Sequence, residues 1–133
     1  MAKAAFIIKG PPTYLNAEEA KYQFGYSKEQ SQLFIVIPSG NPHRRKERLN
    51  QVIDAEMWDR IHWIETQSNT TFRETANGYY EKIRTPDLAR IQSYRSDARK
   101  LADVARSAGA FDVAFTVPND VHEHLAWCLR PNH

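Results

Sequence analysis

The sequence predicts an α/β domain organised on a mostly parallel sheet. Three observations carry that expectation. Two short apolar runs, Ala4-Ala5-Phe6-Ile7-Ile8 and Leu33-Phe34-Ile35-Val36-Ile37, read as strands buried on both faces. Each is followed by a segment with helical spacing of its apolar residues. Strand and helix then keep alternating along the chain, which is the pattern of parallel strands joined by helical crossovers.

The elements follow in order. The first run closes at Gly10-Pro11-Pro12. A helix is expected from about Tyr14 to Phe24, with Ala17, Ala20 and Phe24 on one face and Gly25 just past its end. Asn16 and Glu19 have capping-box spacing, and Thr13 is a candidate cap one turn earlier. The second strand ends at Pro38, and Ser39-Gly40-Asn41-Pro42 is turn chemistry. A helix follows with Leu49, Val52, Ile53 and Met57 on one side. Its spacing permits continuation through Ile61 and Ile64; the rival reading stops it near Glu56 and makes Arg60 to Glu65 a third strand.

Thr70 to Arg84 reads as an inserted hairpin or long loop around the turn dipeptide Asn77-Gly78. Thr85-Pro86 opens a long helix whose stripe is Leu88, Ile91, Ala98, Leu101, Ala105 and Ala108, ended by Gly109. Phe111 to Val117 alternates as a strand. After Pro118-Asn119-Asp120, the residues Val121, Leu125 and Leu129 fit a helix, while Val121, Leu125, Trp127 and Leu129 also fit a strand; a cap at Asn119 or Asp120 favours the helix. Right-handed crossovers leave few topologies. The expected result is a single Rossmann-like αβα domain over residues 1–133 with strand order 3-2-1-4.

Composition excludes several classes. The chain has 133 residues, 41% hydrophobic and 26% charged, enough to bury a core without staples. One cysteine, Cys128, rules out a disulfide framework and a zinc ribbon. A net charge of +2 is too mild to imply nucleic acid from bulk charge. No apolar run approaches the ~20 residues of a membrane span. The start, MAKAAFIIKG, has no small-residue cleavage site, so a cytoplasmic setting is expected.

Open α/β sheets bind ligands outside the carboxyl ends of the strands where the strand order reverses. That reversal is expected to bring together Gly10 to Asn16 and Pro118 to His124. Thr13, Asn16, Asn119 and His124 are therefore candidate substrate contacts, and Asp120 with His122 a candidate acid/base pair. His122-Glu123-His124 also invites a metal reading, but on a helix the two imidazoles point in nearly opposite directions. No metal and no cofactor are expected.

A second cluster, His43-Arg44-Arg45-Lys46-Glu47-Arg48, begins a helix directly after a turn. Cations there oppose the helix dipole unless an anion sits among them, which makes Ser39, Gly40, Asn41, Arg44 and Arg45 a candidate anion site. The competing view is a solvated surface run. Neither a Walker motif nor Gly-x-Gly-x-x-Gly is present, which argues against a nucleotide P-loop. The basic residues of the long helix read as a mixed solvated face, with Arg99 and Asp103 as a pair.

The stretch GPPTYLNAEEAKYQF resembles the start of bacterial sialyltransferases and polysialyltransferases, where a strand runs through a tight turn into a Leu-Asn-Ala-x-Glu-Ala helix. Pro11, Leu15, Asn16, Ala17, Glu19 and Ala20 fit that pattern; Thr13 stands where the family often has glutamine. LFIVIPSGN, WDRIHWIE and FDVAFTVPNDVHEHLAW resemble later strands of the same family. The resemblance implies two Rossmann-like domains facing a cleft, the first binding a sugar or oligosaccharide acceptor and the second a CMP-sugar donor. It covers the first domain only, so it implies acceptor binding without unaided transfer. The alternative is a non-enzymatic module holding a phosphorylated, nucleic-acid or protein partner through the His43–Arg48 cluster.

Overall fold

The computed structural model describes residues 2–38, 42–66, 70–74, 80–84, 87–116 and 120–130. The elements are β1 (Ala4–Ile8), α1 (Pro11–Phe24), β2 (Ser31–Pro38), α2 (Pro42–Val52), β3 (Arg60–Thr66), β4 (Thr70–Glu74), β5 (Tyr80–Arg84), α3 (Asp87–Ala108), β6 (Val113–Phe115) and α4 (Asp120–Cys128). Four strands form one all-parallel sheet in the order β3-β2-β1-β6, the expected 3-2-1-4 arrangement. Phe6 of β1 stands opposite Leu33 on one side and Phe115 on the other. β4 and β5 pair antiparallel as the inserted hairpin; its Asn77-Gly78 turn lies outside the described residues.

The period of two along β1 divides the core. Ala4, Phe6 and Ile8 face a cluster with Tyr14 and Ala17 of α1, Leu49 of α2, and Trp58. Ala5 and Ile7 face the opposite cluster, with Leu101, Ala105 and Ala108 of α3 and Leu125 and Leu129. Helices therefore cover both faces, as expected for a central parallel strand with no polar side.

The segment after α2 settles as a strand. The helix ends at Val52, a 3₁₀ turn spans Ala55–Met57, and β3 follows. Ile61 and Ile64 mimic a helical spacing because both faces of β3 are covered: Ile64 joins the α3 cluster, while Ile61 and Trp63 pack with the α1 cluster. Helix α1 starts at Pro11, one turn before the expected Tyr14. Gly10 is its N-cap, so Asn16 lies inside the helix and caps nothing. Gly25, at φ 71°, ends it in the left-handed region that glycine adopts without strain, and its N–H donates to Tyr22 O at 3.2 Å.

Strand β6 is shorter than its apolar alternation. Phe111 is buried but precedes the strand, because Asp112 turns aside to bind Lys3: Asp112 Oδ2 accepts from Lys3 N at 2.8 Å, and Lys3 O accepts from Asp112 N at 2.9 Å. Val117 lies outside the described residues, as do Thr85-Pro86 and the side chains of Leu88, Ile91 and Val121. On α3, Asp103 pairs with Arg106 at 2.6 Å instead of the expected Arg99. Asp97 of the same helix is buried, which its apolar stripe does not anticipate.

Tyr14 ties the α1 layer together. Its ring is fully buried, and its hydroxyl oxygen accepts from Asp54 N at 3.0 Å and from Trp58 Nε1 at 3.3 Å. One side chain thus satisfies two donors about forty residues away. Tyr14→Phe leaves both donors without that partner and should lower stability by about 1–3 kcal/mol. Urea unfolding measures this; an unchanged midpoint would show that the hydroxyl is not structural.

Candidate functional site

The strand order reverses between β1 and β6, and the described residues form a cleft of about 340 Å³ there. Its lining includes Thr13, Asn16 and Ala20 of α1, Ile7 of β1, Phe115 of β6, and Thr116.

The turn from β1 into α1 is closed on itself. Thr13 Oγ1 accepts from Lys9 N and Gly10 N, each at 3.0 Å, and donates to Gly10 O at 2.8 Å. Pro11 and Pro12 contribute no N–H. The helix N-terminus that would ordinarily attract a phosphate thus has its first donors removed or occupied. Thr13 lines the cleft, but its hydroxyl is committed to the turn. Asn16 is exposed on the next turn, and its carboxamide makes no hydrogen bond to the described residues.

Phe115 forms the facing wall and is held by other rings. It stacks on Phe6 at 4.9 Å with an 11° interplanar angle, and Phe24 and Tyr26 lie 5.3 Å and 6.2 Å away. Such a wall is rigid and apolar. Phe115 belongs to the expected reversal strand but is not among the expected site residues; its signal in the sequence is an aromatic residue at the carboxyl end of that strand.

His122 lies beside this cleft without lining it. It is 5% exposed on α4, which packs on α3 and β1. Neither ring nitrogen has a hydrogen-bond partner among the described residues. Burial, and then the Lys9 ammonium, push its pKa down to about 4, while the nearby Ile8 carbonyl acts in the opposite sense. The imidazole is therefore neutral at pH 7, and its position is the carboxyl end of β1.

The remaining candidates separate. His124 is exposed and turns away from His122, with Nε2 3.6 Å from Cys128 Sγ and its ring 6.3 Å from Trp127. Burial pushes the Cys128 thiol up, so this pair holds no activated thiolate. Asp120 begins α4, but its side chain and the whole of Asn119 lie outside the described residues. Among the described residues no three His, Cys, Asp or Glu side chains are grouped to hold a metal. Arg44 and Arg45 are exposed in the first turn of α2, while Ser39, Gly40 and Asn41 lie outside the described residues. Lys46 of the same cluster is engaged, 3.6 Å from Glu65 and 5.7 Å from the Trp63 ring centroid.

No protein-family model matches the chain, and neither a curated protein nor a solved structure matches it.

The buried histidine makes stability depend on pH. The unfolded chain protonates His122 near 6.5, the folded protein only near 4, so the unfolded state binds more protons in between. Its stabilising contribution is complete above about pH 6.5 and is lost as pH falls toward 4, by about 3 kcal/mol in all. His62 is also lowered, by burial and then by Arg60, and adds in the same direction. Urea midpoints should therefore drop between pH 7 and pH 4.5, and His122→Leu should flatten most of that drop. A variant with the parent's full pH slope would show that His122 is not buried neutral.

Proposed function

We propose that this chain is an acceptor-binding Rossmann-like domain of the kind that sialyltransferase-type glycosyltransferases use on the acceptor side of their cleft. The observation that carries the proposal is the character of the cleft at the strand reversal. Its described walls carry no charge and include both the Asn16 carboxamide and the ring of Phe115, which stacks on Phe6. A sugar suits such walls. Its hydroxyls exchange hydrogen bonds with a carboxamide that both donates and accepts, and its C–H face lies against an aromatic face. A phosphate suits them poorly, because Pro11, Pro12 and Thr13 leave few donors at the start of α1.

In this reading the domain binds and orients, and the CMP-sugar donor is held by a second domain. His122 is a positioning residue. A group titrating near 4 removes a hydroxyl proton poorly at neutral pH, but a neutral imidazole accepts or donates a hydrogen bond at the end of β1. Asp120, which opens α4, is the carboxylate assigned to the acceptor hydroxyl.

A ¹⁵N NMR titration with glucose, galactose, lactose and sialic acid tests the proposal. At least one sugar should shift Asn16, Ala20 and Thr116 with a millimolar Kd, since an open half-cleft leaves the ligand largely wet. Asn16→Ala should weaken that binding at least fivefold and leave melting nearly unchanged, because Asn16 caps no helix. The chain alone should transfer nothing from CMP-sialic acid. Shifts confined to Arg44 and Arg45, or undiminished binding by the Asn16 variant, would contradict the proposal; the first would favour the anion-binding module instead.

A further inference from the structure

At the opposite end of the sheet, α3 and α4 finish side by side. Phe111 N donates to Leu129 O at 3.0 Å there, just before β6 begins. Between the last turns of the two helices runs a groove of about 380 Å³, a volume in the range of small-ligand sites. Ala102, Ala105 and Gly109 contribute small surfaces to it, and Trp127, Arg106 and Arg130 contribute large ones. Trp127 is 58% exposed, although Leu125 and Leu129 beside it are buried. An indole left in solvent beside two arginines is the composition that dominates binding energy at recognition sites.

The arginines have an ordinary role, since cations near helix C-termini complement the dipole. That role does not account for the position of Arg130. Its guanidinium carbon lies 4.1 Å from the centroid of the Trp127 ring, and its side chain makes no hydrogen bond to the described residues. A guanidinium stacked in this way keeps its in-plane N–H fork open, in the arrangement that grips a carboxylate or phosphate. Arg106 on the other helix pairs with Asp103, but both side chains are largely exposed, so the pair is weak and exchangeable. Near Gly109 nothing lies within 4 Å of where a Cβ would stand, and the neighbouring alanines extend this low surface. A flat group can therefore lie against the helices.

We propose that this groove binds a planar organic anion, a flat ring carrying a phosphate or carboxylate. The ring lies on the alanine floor against the part of the Trp127 indole that Arg130 and His124 leave exposed, and the anionic group lies between Arg106 and Arg130. The groove's two guanidinia favour an anionic ligand over a neutral one. The site is at the far end of the sheet from the sugar cleft, and its test is independent of that reading.

AMP and benzoate are suitable probes, with adenosine and inorganic phosphate as the separated halves. Trp58 is buried and Trp63 partly so, which makes Trp127 the tryptophan most open to quenching by a ligand. AMP or benzoate should quench tryptophan emission and shift the Trp127 indole N–H and the Gly109 amide in ¹⁵N spectra. Tighter binding of AMP identifies a phosphate-bearing ring, and tighter binding of benzoate a carboxylate-bearing one. Adenosine and phosphate alone should each bind at least tenfold more weakly than AMP if AMP is the better probe. Arg106→Gln and Arg130→Gln should each cost at least fivefold, and Trp127→Ala at least tenfold, all with near-parental melting because the residues are exposed. Arg44→Ala with Arg45→Ala should change nothing. No shift at Gly109 or Trp127 with 10 mM of either probe overturns the proposal, as does parental affinity in the Arg106→Gln/Arg130→Gln double variant.

Discussion

Phe6 stands at the middle of β1, and its ring meets three others: Phe115 at 4.9 Å, Trp58 at 5.2 Å and Tyr26 at 6.2 Å. These contacts join the central strand to the edge strand β6, to the approach to β3, and to the chain leaving α1. Burying such a side chain contributes about 1.5–3 kcal/mol. The neighbours in β1 extend the same constraint to the other face, where Ala5 and Ile7 pack beneath α3 and α4. A strand apolar on both sides must be covered on both sides, and that requirement dictates two helical layers and a parallel sheet.

The same strand determines what its two ends can do. Where β1 stops, Gly10, Pro11 and Pro12 divert the chain into α1, and Thr13 satisfies the turn from within. Among its described residues the β1–β6 crevice has uncharged walls, and the Asn16 carboxamide there makes no hydrogen bond to another described residue. His122 is held at this end because α4 packs across β1, and burial beside Lys9 keeps its imidazole uncharged. At the far end the last turns of α3 and α4 expose Trp127 with Arg130 over it. The two clefts thus lie at opposite ends of a sheet whose central strand is fully buried.

Most of this architecture was legible in the residues, because apolar runs and helical periods are local signals. β1, β2, α1 and α3 announce themselves in that way. β3 did not, since a strand covered on both faces loses its alternation, and Ile61 and Ile64 then imitate a helix. The start of α1 reads late because Thr13 is a familiar cap for a helix beginning at Tyr14, whereas the structure uses its hydroxyl three residues after an extended glycine. In the site, Thr13 and Asn16 were found because they sit on the turn at a strand end. The wall opposite them was missed, because Phe115 reads as core until the edge of the sheet is known. The burial of His122 was available in principle: it shares a helical face with Leu125 and Leu129, spaced three and seven residues on. That its ring nitrogens meet no hydrogen-bond partner among the described residues is a tertiary fact, and no spacing reveals it.

Native-state hydrogen exchange tests the organising role of β1 most directly. If β1 holds the two layers together, the Phe6 and Ile7 amides should exchange only through global unfolding, with the same denaturant dependence as those of Phe34 and Ile35. The amides of β6, a three-residue strand that among the described residues pairs with β1 alone, should exchange earlier by local opening. Exchange of the β1 amides through a low-energy local opening, while those of β6 stay protected, would contradict the account.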